Sequence, residues 1–335
     1  MTTPILICDD SGFARKQMAR SIPDDWEVDI KFATNGEEAL DVIRAGAADL
    51  MFLDLNMPVL DGYQTMLRIQ EEGLQIMVIV VSGDVQPEAR KRMMSMGALD
   101  FIRKPIDNGK LCEILNQYGI YSGSATASQN ALITTPEKSI DKLDAYREMA
   151  NVAMGQAGEK LAQLLDVFIE LPIPNVNIIE STELHMAIAE IHKNDSISAV
   201  SQGFISAGIN GEALLLFNDA NFDNMVKLLK YGVKASNEQI ELEALMDISN
   251  ILVGACLNAL SEQLHVNFSQ NHPMILGRHC GIESLLESSV SRWNKVVAIE
   301  IAYSIENQDI HFDLMLLFPN KAMELIFKKL VNLVE

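Results

Sequence analysis

Five short apolar runs separated by amphipathic stretches punctuate the first 120 residues, and no other feature constrains the fold as strongly. Ile5 to Cys8, Asp29 to Ala33, Leu50 to Leu53, Met77 to Val81 and Asp100 to Arg103 read as strands. Gly12 to Ile22, Gly36 to Ala45, Gly62 to Glu71, Pro87 to Met96 and Gly109 to Gln117 read as helices. A strand followed by a helix five times over predicts an α/β fold, a (βα)5 doubly wound parallel sheet, because parallel neighbours need a crossover long enough to hold a helix. Met77-Val-Ile-Val-Val81 is apolar throughout and is expected at or near the sheet centre, covered on both faces.

Polar residues follow these runs. Asp9 and Asp10 come after the first strand and Asp54 after the third, while Ser82 ends the fourth and Lys104 the fifth. The carboxyl ends of the strands in such a sheet line one crevice, so the three acids should share a pocket. Three clustered carboxylates repel one another unless a cation joins them, and hard oxygen donors with room for water suit Mg2+. A nucleophile, a metal, a hydroxyl and a lysine on one rim form a constellation for phosphoryl transfer. A nucleotide-binding domain of similar layout needs a glycine-rich first loop, which Asp9-Asp10-Ser11-Gly12 is not.

In order and in position, Asp9-Asp10, Asp54, Ser82 and Lys104-Pro105 resemble the phosphorylation site of CheY-like receiver domains, over about residues 3 to 120. The resemblance implies a flavodoxin-like fold and a response regulator phosphorylated by a sensor histidine kinase. It makes Asp54 the phosphoacceptor, with Mg2+ held by Asp9, Asp10, Asp54 and the backbone carbonyl of Asn56. It further implies that Ser82 and Lys104 contact the phosphoryl group, that Lys104-Pro105 is a cis peptide and that Phe101 is the switch aromatic. Asn56 and Asp84, two residues beyond the acceptor and the hydroxyl, are the positions that tune the acyl phosphate's lifetime, here expected to be seconds to minutes.

Residues 122 to 136 carry no charge, little apolar periodicity and many small polar side chains, so they read as a flexible linker. The division is a domain over 1–121, a linker over 122–137 and a second domain over 138–335. In that second domain a long helix is expected from about Ser139 to Glu170. Strands follow at Val176 to Ile179, His185 to Ile191, Ser198 to Ala207 and Ala213 to Phe217, then helices at Phe222 to Tyr231 and Asn237 to His265. Strands at Val296 to Tyr303 and His311 to Leu317 and a helix at Lys321 to Val334 complete an α+β pattern. Asn151-Val-Ala-Met-Gly155 aligns with Asn250-Ile-Leu-Val-Gly254, an offset of 250 − 151 = 99 residues, which suggests two halves about a pseudo-two-fold axis. Gly155 and Gly254 are expected where the two long helices pack closely.

Asp144, Glu148 and Asn151 stand at i, i+4 and i+7, so they share one face of the first long helix. The spacing resembles the (D/S)-x3-E-x2-N pattern of the CheC, CheX and FliY chemotaxis phosphatases, and the two long helices and the repeat agree over about residues 138 to 335. That resemblance implies hydrolysis of the aspartyl phosphate of CheY-like receivers, in cis or in trans, with no cofactor in this domain. Asn151 would hold the attacking water and Glu148 would pair with the receiver lysine. The second copy reads Glu243, Asp247 and Asn250. Asp247 stands where a glutamate is expected and is shorter by one methylene, which leaves a second active site and a structural remnant both open. An alternative is a non-catalytic adaptor whose second domain binds a chemotaxis deamidase or a flagellar-switch protein under control of Asp54.

Charge and composition exclude other classes. The formal charge is −20, and both regions are acidic, with 12 Lys/Arg against 19 Asp/Glu in residues 1–120 and 14 against 27 in the remainder. Neither offers the basic footprint of a nucleic-acid-binding output. No apolar run is long enough to span a membrane, and Met1-Thr-Thr-Pro-Ile5 lacks a signal peptide's basic start, so a cytoplasmic protein is expected. Cys8, Cys112, Cys256 and Cys280 read as buried thiols. The seven-residue spacings of His265, His272 and His279 fit no compact zinc ligand pair.

Overall fold

The computed structural model describes residues 2–123, 141–180, 183, 196–230, 237–280 and 295–332. The chain divides into two compact units, Met1–Glu148 with Val331–Glu335, and Met149–Leu330. Most of the expected linker and the expected strand from His185 to Ile191 lie outside the described residues.

In the first unit, β1 (Thr3–Cys8), β2 (Val28–Ala33), β3 (Leu50–Leu53), β4 (Met77–Ser82) and β5 (Asp100–Arg103) form a parallel sheet in the order β2-β1-β3-β4-β5. Helices α1 (Gly12–Ser21), α2 (Gly36–Arg44), α3 (Gly62–Glu72), α4 (Pro87–Ser95) and α5 (Asn108–Gln117) alternate with the strands. This is a flavodoxin-like receiver fold. The two-residue period of a strand sends Leu6, Met51, Leu53, Val78 and Val80 to the face covered by Leu40, Met66 and Met93. Ile5, Ile7, Phe52, Ile79 and Val81 point to the opposite face, against Met18, Leu111 and Leu115. Burial on both faces explains why these strands read as continuous apolar runs. β4 lies between β3 and β5, next to the central strand. Ser11, Asn35, Asp61 and Asp107 cap α1, α2, α3 and α5 through their side chains, so these four strand-to-helix loops have a fixed exit.

The next helix, α6 (Lys142–Leu165), contributes its opening turns, with Asp144 and Glu148, to the first unit and the rest to the second. The second unit is built on an antiparallel sheet. Its strands are β6 (Ile169–Glu170), β7 (Asn175–Glu180), β8 (Ile197–Ser206), β9 (Ile209–Asn218), β10 (Ser269–Gln270), β11 (Met274–Cys280), β12 (Lys295–Ile305) and β13 (His311–Pro319). Helices α7 (Phe222–Leu229), α8 (Asn237–Leu264) and α9 (Asn320–Val331) complete it. The sheet order is β10-β8-β9-β13-β12-β6, with β11 also on β8 and β7 also on β12. The pairing is reciprocal: β6 and β7 pair with β12 of the later half, and β10 and β11 pair with β8 of the earlier half. The helices end in register with the repeat, at Leu165 and Leu264, each followed by a left-handed residue, Asp166 (φ 58°) and His265 (φ 50°).

Three expectations need correction. The first long helix does not run to Glu170, because Asp166 turns the chain and Ile169–Glu170 pair with β12 as a strand. β10 and β11 were not expected: β11 is an outer strand with no fully buried residue, its register shifts around Gly277, and it leaves no apolar alternation to read. Gly254 is not where the long helices meet, since a Cβ there would face Gln270 at 3.6 Å. α8 reaches α6 through the Cys256 thiol, which donates to the Ala153 carbonyl at 3.7 Å, and through Gln263 Nε2, which donates to the Met149 carbonyl at 3.2 Å. Among the described residues no helix is long and apolar enough to cross a membrane.

Candidate phosphorylation site

The order of the sheet creates the site. β1 and β3 are neighbours although α1, β2 and α2 separate them in sequence, and strand connections depart in opposite directions from this point. The residues just past their carboxyl ends, Asp9, Asp10 and Asp54, therefore converge. One carboxylate oxygen from each lies within 4.8 Å of the others. Lys104, one residue past β5, places Nζ 2.7 Å from Asp9 Oδ2 and 3.1 Å from Asp54 Oδ1. Ser82 is fully buried at the end of β4, and its Oγ accepts from the Asp84 amide at 3.1 Å. The Asn56 amide donates to Asp54 Oδ2 at 3.0 Å, which orients that carboxylate from its own loop. The Lys104–Pro105 bond is cis. Phe101 is half-buried against the core layer that contains Met51 and Val80.

The pocket holds more negative than positive charge, and its acidities reflect this. Burial, reinforced by Asp9 and Asp10 and opposed by Lys104, raises the Asp54 carboxyl above the usual range. Burial and then Asp9 push Asp10 up to about 6. Burial alone would lower Lys104, but Asp54, Asp9 and Glu148 outweigh it and hold the ammonium protonated well above its ordinary range. A divalent cation is what this set lacks chemically: three oxygen donors in reach of one another, two of them buried, with charge uncompensated by a single lysine. The residues present fit Mg2+.

Asp144 and Glu148 belong to the same unit. Glu148 is buried, with Oε1 3.0 Å from Lys104 Nζ, and burial followed by the repulsion of Asp9 and Asp54 raises its carboxyl. Asp144 Oδ2 accepts from the Phe13 amide at 2.9 Å. Asn151, in the second unit, is buried and its Oδ1 has no hydrogen-bond partner among the described residues. The later copy differs: Glu243, Asp247 and Asn250 lie on α8 and all three are exposed. His279, weighed above as a metal ligand, instead has Nδ1 3.0 Å from Asp219 and Nε2 3.2 Å from Glu241.

Two features of the site went unread in the sequence. Arg15 Nη1 donates to the backbone carbonyls of Asp9 at 2.8 Å and Asp10 at 3.2 Å, so a guanidinium grips the peptide that presents the acid pair. An arginine one turn into a helix carries no signal that its fork turns back to the preceding loop. Asp84, expected near the acyl phosphate, has Oδ1 accepting from the Gln86 amide at 3.0 Å and Gln86 Nε2 at 3.2 Å, which ties it to the start of α4.

Comparison with known proteins agrees with this geometry. Residues 5–116 match the family model of the response regulator receiver domain. Two-component response regulator 24 of Arabidopsis thaliana is 31% identical over 117 residues, covering 35% of this chain and 84% of that protein. The chain belongs to the two-component response regulators. A protein-glutamate methylesterase/protein-glutamine glutaminase of Syntrophomonas wolfei is 39% identical over 103 residues, 30% of this response regulator and 29% of the relative. The chain thus spans less than a third of the length of the methylesterase relatives it matches first. Among solved structures, FliY of Thermotoga maritima covers 60% of this response regulator and 99% of its own chain at 17% identity with a TM-score of 0.45, a likeness too slight to bear on function.

Proposed function

We propose that this response regulator accepts a phosphoryl group on Asp54 from a sensor histidine kinase, and that the face of α6 bearing Asp144, Glu148 and Asn151 hydrolyses the aspartyl phosphate of CheY-like receivers. The observation that carries the first part is the convergence of the Asp9, Asp10 and Asp54 carboxylates beside Lys104 at the carboxyl ends of neighbouring parallel strands. Asp9, Asp10, Asp54 and the Asn56 carbonyl would hold Mg2+, which when bound neutralises the acid cluster and offsets charge on the phosphoryl oxygens. Asp54 attacks phosphorus as the nucleophile, Lys104 supplies a fixed positive charge, and the Ser82 hydroxyl donates to an equatorial oxygen. Phe101 is assigned the role of switch aromatic that follows Asp54 phosphorylation.

The second part rests on the spacing of Asp144, Glu148 and Asn151 on one helix face and on the contact between Glu148 and a receiver lysine. A receiver supplies most of the charge stabilisation for loss of its own phosphoryl group, so a water held in line is the missing element. An amide such as Asn151 can hold that water without acting as a base. The setting is chemotaxis signalling, and a chemotaxis deamidase is the further partner this reading names.

Two measurements test these assignments. Incubation with labelled acetyl phosphate and Mg2+ should label the wild type, with label lost in Asp54→Asn or on chelation of the metal. A separate phosphorylated CheY-like receiver should lose its label faster with wild type than with the Asn151→Ala, Asn250→Ala double variant. Equal decay in the two mixtures removes the phosphatase assignment and leaves the phosphoacceptor untouched.

A further inference from the structure

We infer, resting on the receiver reading above, that Arg15 is the positioning residue of the candidate Mg2+ site: its guanidinium clamps the backbone on both sides of Asp10, so that Asp10 can share an ion with Asp9 and Asp54. The two neighbouring acids are held unevenly. Asp9 is tied at every polar atom. Its amide donates to the Ala33 carbonyl at 3.1 Å and its Oδ1 accepts from the Ser11 amide at 2.9 Å. Its Oδ2 lies 2.7 Å from Lys104 Nζ, and its carbonyl accepts from Arg15 Nη1 at 2.8 Å. Asp10 belongs to neither β1 nor α1, and among the described residues its one hydrogen bond is the 3.2 Å bond that its carbonyl accepts from the same Nη1.

The Asp10 carboxylate needs that hold. One of its oxygens lies within 4.8 Å of an oxygen of Asp9 and of Asp54, and repulsion at that spacing favours any backbone rotation that carries it outward. Lys104 answers Asp9 and Asp54 at 2.7 and 3.1 Å, whereas among the described residues Asp10 has no ion pair. Arg15 is placed to supply the hold from behind. It is the fourth residue of α1, its amide donates to the Ser11 carbonyl at 3.0 Å, and helical side chains lean toward the N-terminus, which aims the guanidinium back at the preceding loop. The Asp9 carbonyl lies in the peptide plane before the Asp10 Cα, and the Asp10 carbonyl lies in the plane after it. A single guanidinium nitrogen bonded to both therefore fixes φ and ψ of Asp10 together, and with them the direction of its side chain. Holding this pose leaves Arg15 Nε buried with no hydrogen-bond partner among the described residues, where an arginine serving only the surface would turn it to water. Charge by itself predicts the opposite role. A fixed cation beside a site for a dication lowers its affinity, so loss of a mere charge would tighten Mg2+ binding, while loss of the two bonds weakens it.

Calorimetric titration of the full chain with Mg2+ alone reads this directly, and Asp54 labelling by acetyl phosphate across a Mg2+ series is the second readout. Arg15→Met keeps an unbranched apolar stem and removes both donors. It should bind Mg2+ about 10–100-fold more weakly than wild type, the range usual for a residue that orients a metal ligand, and should regain wild-type labelling once Mg2+ is saturating. Arg15→Lys keeps the charge and a donor without the planar fork, and its affinity should fall between the two. Mg2+ binding by Arg15→Met that equals or exceeds that of wild type overturns the inference. Binding by Arg15→Lys that is weaker than that of Arg15→Met does so as well, because either result makes the residue a charge and not a clamp. Labelling that stays low in both variants at saturating Mg2+ also overturns it, since excess metal restores what a misdirected ligand loses. If wild type binds Mg2+ and takes label while Arg15→Met matches it, the Arg15 assignment fails and the phosphoacceptor stands. If wild type neither binds Mg2+ nor takes label, both fall together.

Discussion

Asp10 carries a charge that its surroundings resist. Its folded acidity, about 6, lies above the ordinary carboxylate value of 3.8, with burial as the first cause and Asp9 as the second. A raised folded value means that the cost is absent below the unfolded value, grows as pH rises through the interval between them and persists above. Without metal, Asp10→Asn is therefore expected to raise stability at pH near 7 by roughly 1–3 kcal/mol and to give no gain near pH 3. Urea unfolding at both pH values with a chelator measures this, and added Mg2+ should shrink or reverse the difference. At this scale the acids, Ser82 and Lys104 were legible because each directly follows or ends a strand whose position the apolar pattern sets. Arg15 and the tie between Asp84 and Gln86 were not, because they depend on where long side chains turn after the backbone is placed.

Single elements carry two further expectations. Val59, in the loop between β3 and α3, is 79% exposed and holds φ 70°, a left-handed conformation that costs an L-residue about 1–2 kcal/mol. Val59→Gly removes that cost and no buried contact, while glycine adds about 0.5–1 kcal/mol of freedom to the unfolded chain. A net gain of about 0.5–1 kcal/mol should appear as a higher denaturation midpoint of the first unit. Gly211 in β9 gives the opposite case. A Cβ there would come 2.4 Å from the Phe204 ring and 2.6 Å from the Leu317 carbonyl on the paired strand. The ring can swing away but the carbonyl belongs to the ladder, so Gly211→Ala should destabilise the second unit by about 1–3 kcal/mol, read as a lower denaturation midpoint. The inner parallel strands β1, β3 and β4 were legible in their apolar stretches because these are buried on both faces, whereas β11, an outer strand with no fully buried residue and an irregular register, was not.

For the whole molecule, the reciprocal pairing of the second unit sets what can be removed. Among the described residues β6 and β7 pair only with β12, and β9 takes its second neighbour from β13. A chain ending after residue 236 would leave these edges open and strip α6 of the α8 residues Cys256 and Gln263 that reach it. Such a chain should keep the first unit's Asp54 labelling and show no cooperative unfolding transition for the second, as read by circular dichroism and by labelling.

What the sequence determined by itself is the receiver. Strand and helix periods, the acids after β1 and β3, and the lysine after β5 follow from local pattern plus the rule that parallel crossovers wind one way, so order in the chain already implies position in space. The ninety-nine-residue offset likewise announced a repeat, and its helix ends, Asp166 and His265, keep that offset. Tertiary structure alone decided the rest. Which half's strands pair with which depends on registers that no local period encodes, and the fates of two matching triplets diverged. Glu148 is buried against Lys104 while Asp247 is exposed, because burial depends on what covers a face and not on the face's own residues.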